Sequence, residues 1–344
     1  MSSVETNTPI TENQAKSFQE KLGALRIELN QVLFGQEELI DSIVVALLAR
    51  GHVLLEGLPG LGKTELVKAI SKAIGLEQNR VQFTPDLLPG DITGNPILQE
   101  SPEGKREFVF QKGPLFAQLL LADEINRASP KTQSALLEAM QERSVTVFGE
   151  QHELPQPFFV FATQNPIELE GTYPLPEAQV DRFLFKLYVK RNDKSVLERI
   201  VMNRDLGATV EVSQVMQCSE LLDAIQLSRS VFIPHAVVSY IANLVDASHP
   251  GQSKASEGVK FGGSPRAAIS LAAAVKAKAL LDGRVHASFE DVQALAIPVL
   301  QHRIILDYHA KVEGVTGEIV VQRLLDEISP DGIDLPDSLK SAKV

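Results

Sequence analysis

The segment Gly57-Leu58-Pro59-Gly60-Leu61-Gly62-Lys63-Thr64 constrains this chain more than any other stretch. It fits G-x-x-x-x-G-K-[ST] at every fixed position. Its flanks are the ones that pattern needs, because the apolar run His52–Glu56 enters it and the helical pattern Lys63–Ala73 leaves it. Glycines let the backbone curl until successive N–H groups face one point, and the N-terminus of the next helix adds partial positive charge there. Such a turn cradles phosphate. Gly57, Pro59, Gly60, Leu61, Gly62, Lys63, Thr64 and Glu65 form the candidate nucleotide-binding set. Lys63 would reach the β- and γ-phosphates, and the Thr64 hydroxyl would go to Mg2+. A chance glycine-rich turn is the competing explanation, and the strand–loop–helix context counts against it.

Around this loop, short apolar runs alternate with helical patterns. The runs are His52–Glu56, Arg80–Thr84, Gln118–Ala122, Phe158–Thr163 and Phe183–Val189; the helices include Lys63–Ala73 and Lys131–Glu142. Strands buried on both faces read as continuous apolar runs, so the alternation predicts an α/β sandwich with a parallel sheet covered on both sides. Two stretches break the pattern. Pro85–Pro114 is rich in Pro and Gly, and Arg143–Pro157 reads as a hairpin, with Ser144–Phe148 outgoing, a turn at Gly149-Glu150 and His152–Leu154 returning. Long insertions of this kind inside a compact domain are usually functional or disordered. Upstream, Gln14–Val32 and Leu39–Leu48 have helical spacing, and residues 1–12 read as a polar tail. After Arg191 the strand signals end, and residues 192–206, 214–227, 234–247, 264–281 and 288–309 read as helices. The 344 residues exceed one ordinary core. The expected division is a core over 13–190, an all-helical domain over 191–328 and a loose tail over 329–344.

Binding a triphosphate is not hydrolysing it; that needs metal support and an activated water. Leu119-Leu120-Leu121-Ala122 is a buried-strand pattern that ends in Asp123-Glu124, and doubly wound sheets hold ligands at their strand ends. Asp123 would orient Mg2+ through its waters, and Glu124 would polarise the attacking water. A carboxylate after a strand also serves as a helix N-cap; the phosphate loop upstream favours the catalytic role.

Composition narrows the partners. Net charge is −11, whereas duplex binders usually carry a basic excess or stripe. The nearest basic cluster is Lys254–Arg284, which reads as a solvated helix face, so nucleic acid is disfavoured. No apolar run approaches the roughly 18–20 residues of a membrane helix; Ile43–Ala49 is cut short by Arg50. A single cysteine, Cys218, with seven scattered His gives neither an internal disulfide nor a zinc pattern. With a polar N-terminus lacking an apolar h-region, the expected compartment is the cytoplasm. His52 and Cys218 read as structural.

GLPGLGKT, LLLADEINRASPKTQSALLEAMQE, FATQNP, LPEAQVDRF and GGSPRAA together resemble the MoxR family of AAA+ ATPases, over residues 33–310 and in family order. The resemblance implies an αβα sandwich of strand order 5-1-4-3-2 followed by a helical lid. It makes Asn165 the polar sensor between the acidic pair and the γ-phosphate. Arg182 takes the place of an arginine finger reaching a neighbouring subunit, which implies a homo-oligomeric ring, in this family a hexamer. A guanidinium there would spread transition-state charge over phosphate oxygens. Arg266 becomes the lid sensor, at a helix start where Ser264 would be the N-cap and a cation is otherwise disfavoured. Gly35-Gln36 resembles the element lining the adenine pocket. Residues 85–114 and 143–157 resemble the helix-2 insert and the hairpin before the sensor strand, expected to touch substrate. Arg127 is given only an interface role. The resemblance further implies ATP and Mg2+ as cofactors and a partner with a von Willebrand A domain.

Three activities remain to be separated: an ATP-driven chaperone or remodeller, a nucleotide-gated binding module with little turnover, and a nucleic-acid motor. Glu124 and Arg182 argue against the second and the net charge of −11 against the third.

Overall fold

The computed structural model describes residues 10–58, 60–100, 106–166, 171–203 and 210–330. Residues 1–9 and 331–344, most of the two expected tails, lie outside these, as does Pro59. The chain forms two compact units, one of residues 24–222 and one of residues 1–23 with 223–344.

In the first unit the elements are α1 (Glu12–Val32, from Ala24 on), α2 (Glu37–Leu48), β1 (Val53–Glu56), α3 (Lys63–Ile74), β2 (Gln78–Gln82), α4 (Pro89–Thr93), β3 (Gly94–Glu100), β4 (Arg106–Lys112) and β5 (Leu119–Asp123). A 3-10 turn (Ile125–Arg127) follows, then α5 (Pro130–Glu142), β6 (Ser144–Val147), β7 (Glu150–Glu153), β8 (Phe159–Gln164), α6 (Glu177–Val180), β9 (Phe185–Tyr188) and α7 (Lys194–Asn203). Five strands form one parallel sheet in the order β2-β5-β8-β1-β9. Counting those five strands alone along the chain, this is 5-1-4-3-2 read from the β9 edge, as the resemblance implied.

Register explains why the sheet builds a site. Glu56 lies beside Gln164, Ala122 beside Ala162, and Gln82 beside Asp123, so four strands end level with one another. The three central strands are buried on both faces, which is why they read as apolar runs. On one face Leu54, Leu120, Val160 and Ala162 pack with Leu136, Leu137 and Met140 of α5. Pro130 opens α5, and the Ser129 hydroxyl accepts from Thr132 N–H at 3.4 Å.

Two expectations shift here. The second strand runs Gln78–Gln82 rather than Arg80–Thr84. It is an edge strand with one buried residue, so the apolar cue pointed two residues too far, toward buried Phe83. The hairpin of β6 and β7 turns at Phe148-Gly149, not Gly149-Glu150; both residues have positive φ, the form a two-residue hairpin loop adopts. The Pro- and Gly-rich insert holds α4 and a second antiparallel hairpin, β3–β4. Phe110 of β4 stacks on His152 of β7 at 4.1 Å, tying the hairpins together, while Leu98, Phe108 and Phe148 stay exposed.

In the second unit α8 (Cys218–Ser230, from Asp223 on) is followed by α9 (His235–Ala247), β10 (Val259–Phe261), α10 (Pro265–Leu281), α11 (Phe289–Leu300), β11 (Ile305–Leu306), α12 (Tyr308–Val312) and α13 (Gly317–Glu327). Among its described residues the unit is helical apart from β10 and β11, which pair antiparallel, and a parallel bridge between Phe232 and His286. The expected single helix over 288–309 therefore stops at Leu300, and β11 and α12 follow. Among the described residues, no helix is long and apolar enough to cross a membrane.

Candidate nucleotide site

The loop between β1 and α3 turns on two glycines in the left-handed region, Gly60 and Gly62, both with φ +81°. At Gly62 the left-handed backbone itself favours glycine; a Cβ there would also crowd the tip of Leu33, Cδ1 at 2.8 Å. The N-terminus of α3 is thereby aimed past the end of the sheet. A cavity of about 410 Å³ opens there, and Gly60, Gly62, Lys63, Thr64 and Glu65 line it from the loop side. Asp123, Glu124, Thr163 and Asn165 line it from the strand ends, and Arg80 and Gln82 from β2.

The strand-end groups are wired together. Thr163 donates its hydroxyl to Asp123 Oδ1 at 2.6 Å and accepts from Glu124 N–H at 2.9 Å. Arg80 Nη2 donates to Asp123 Oδ2 at 2.7 Å. Glu124 Oε2 accepts from Gln82 Nε2 at 2.8 Å and from Arg127 Nη1 at 2.9 Å. Glu124 itself has φ 54° and ψ 50°. A non-glycine residue held there stores strain on the order of 1–3 kcal/mol, as functional sites often do. Asn165 is buried at the end of β8.

Lys63 Nζ donates to Gly57 O at 2.7 Å. Burial pushes its pKa below the usual lysine value, while Asp123, Glu124 and Glu56 pull the other way. An anion in the cavity would add to the negative charge that Asp123, Glu124 and Glu56 already set near this half-buried ammonium, and so favour its charged form further. The groups fit a metal-bound triphosphate: backbone N–H groups and a lysine for phosphate, and hard oxygens on Thr64 and Asp123 for Mg2+.

Other expected residues lie outside the cavity. Gln36 donates through Nε2 to Lys190 O at 2.9 Å and Asn192 Oδ1 at 3.1 Å. A Cβ on Gly35 would meet Val196 Cγ2 at 2.7 Å. The segment that holds both residues thus joins the phosphate loop, through Leu33, to the chain leaving β9. Arg182 donates from Nη1 to Leu137 O at 2.6 Å. It lines a separate hollow with Leu137, Glu138, Gln141 and Gln179. Arg266 is exposed in the first turn of α10, in the second unit; Ser264 holds the N-cap position, but its hydroxyl caps no N–H.

Sequence reasoning missed Arg80, Gln82 and Thr163, and gave Arg127 no part in the site. Thr163 precedes Gln164-Asn165 on a recognised strand, and its alternation with Phe161 was a usable signal. Arg80 and Gln82 needed the register of β2.

The family described as "ATPase family associated with various cellular activities (AAA)" matches residues 52–185, and the family described as an AAA lid domain matches residues 252–324. Chaperone MoxR1 of Mycobacterium tuberculosis is 42% identical over 307 residues, spanning 88% of this chain and 80% of that protein. The uncharacterised protein YeaC of Bacillus subtilis is 43% identical over 310 residues, spanning 89% and 94%. A crystal structure from Cytophaga hutchinsonii aligns with a TM-score of 0.83 at 38% identity, covering 92% of this chain and 97% of that one.

Proposed function

The chain belongs to the MoxR family of AAA+ ATPases, and from that premise we propose that it works in the cytoplasm as a Mg2+-dependent ATPase that remodels or matures partner proteins. The observation that carries this reading is the convergence of Lys63, Thr64, Asp123, Glu124 and Asn165 on one cavity beside the phosphate loop. In the proposed roles, residues 57–65 hold the phosphates and Thr64 and Asp123 hold Mg2+. That ion would neutralise charge developing on the phosphates. Glu124 orients and polarises the attacking water, and Asn165 senses the γ-phosphate. Gly35 and Gln36 border the base. Arg266 reports from a lid over residues 191–328, the nucleotide-binding core being residues 13–190.

Arg182 is bonded to the Leu137 carbonyl of α5 and lines a hollow other than the nucleotide cavity of its own chain. This supports a finger that serves a neighbour, and with it a ring, for which the family pattern favours a hexamer. Exposed Leu98, Phe108 and Phe148 on the paired hairpins are the proposed substrate contacts. Family resemblance alone supports a partner carrying a von Willebrand A domain. Hydrolysis does work only if ATP and ADP are bound unequally by two conformers.

The test is Glu124→Gln. Steady-state turnover should drop by about 100-fold or more, the scale of losing a general base. Binding of ATP should persist, and partner proteins should co-purify with the ATP-locked variant. Near-normal turnover would give the water to another residue.

A further inference from the structure

Both oxygens of Asp123 are engaged by this chain. Oδ1 accepts from the neutral Thr163 hydroxyl at 2.6 Å, and Oδ2 accepts from the Arg80 guanidinium at 2.7 Å. The second contact follows from register. Arg80 and Gln82 are two apart on β2 and share a face. Gln82 lies directly beside Asp123, and Phe83 N–H donates to Asp123 O at 2.8 Å. The edge strand therefore aims a cation at the carboxylate that faces Thr64 and Lys63 across the cavity. The pair is asymmetric: the Asp123 side chain is 15% exposed and that of Arg80 is 53%. Arg80 Nη2 also donates to Gln82 Oε1 at 3.1 Å, so the carboxylate is largely covered while the guanidinium is held by two contacts on a half-exposed side chain.

We propose that Arg80 is a latch on Asp123. It neutralises and orients the carboxylate before a metal–nucleotide complex enters, and metal entry displaces it. This rests on the reading of Asp123 as a metal-facing group. Even held through its water shell, a divalent cation at Asp123 would set two positive charges within a few ångströms of the guanidinium, and like charges that close repel. A half-exposed ion pair is weak enough to yield. Arg80 is thus a positioning residue whose contact sets how much metal the site requires.

The test titrates Mg2+ into the full chain at fixed fluorescent ADP, which avoids turnover. Wild type is compared with Arg80→Gln, Arg80→Met and Arg80→Lys, each checked by thermal unfolding. With the latch removed, half-saturating Mg2+ should fall by about threefold to fivefold in the Gln and Met variants, the scale of a partly exposed ion pair. Arg80→Lys, which keeps the charge, should stay near wild type. Unchanged Mg2+ dependence in well-folded Gln and Met variants overturns the latch while leaving the site intact. A raised requirement overturns it too, and makes Arg80 a phosphate contact. A wild-type chain whose ADP binding ignores Mg2+ removes the metal site beneath the latch, and the latch with it.

Discussion

Thr163 is where the two acidic residues become one device. Its single hydroxyl donates to Asp123 and accepts from the Glu124 amide. It therefore fixes the carboxylate and the left-handed backbone of the next residue together. Thr163→Val keeps the shape and removes both bonds. A half-buried N–H and a carboxylate oxygen then lose their partner, at a cost of roughly 1–3 kcal/mol. The urea midpoint should fall accordingly. If Glu124 is displaced by even an ångström, kcat should fall by up to about 100-fold, with KM changing far less. A variant that raised KM alone would make Thr163 a binding group rather than a positioning one. Arg127 and Gln82 brace the other end of the same glutamate, so the strained φ of 54° is held from both sides.

At the scale of elements, His52 ties three together at the opposite end of the sheet. Val160 N–H donates to its Nδ1 at 3.0 Å, so Nε2 must carry the proton that goes to Met140 O at 3.1 Å. Protonating Nδ1 would set two donors against each other. Burial is the main cause that lowers the pKa from 6.5 to about 4, with Arg143 and Arg50 adding repulsion. The fold thus favours the neutral ring. This stabilisation is full above about pH 6.5 and is lost as pH falls toward 4, about 3 kcal/mol in all. Urea unfolding of wild type and His52→Gln over that window should converge as pH drops; a difference independent of pH would sink the assignment. The same elements show what a sequence reveals. The central strands and α3 and α5 were readable because burial on fixed faces imposes apolar patterns. β2 was misplaced because its sequence QNRVQ is mostly solvated, and Arg80 and Gln82 were lost with it. β3 and β4 left no alternation because they form a separate two-stranded sheet with exposed faces. From Leu300 to Ile304 apolar spacing continues, but α11 ends at Leu300, two residues after Pro298, and the chain turns there.

For the whole molecule, the decisive question is which chain completes the site. Arg182 bonds to the α5 carbonyl of Leu137, in a hollow that shares no lining residue with the nucleotide cavity among the described residues. If it serves its own chain, Arg182→Ala and Glu124→Gln are two lesions in separate molecules, and mixing them returns only the average of two weak activities. If it serves a neighbour, a mixed interface can pair the intact Glu124 of one variant with the intact Arg182 of the other. Random mixing of equal amounts makes about one interface in four complete, so turnover should recover to about a quarter of wild type. Each variant alone should stay at least about 100-fold down. The measurement is steady-state ATPase across mixing ratios after subunit exchange. Recovery that peaks at equal amounts would establish both the shared site and the oligomer that shared catalysis requires. A straight line between the two parents would return Arg182 to a structural role on α5.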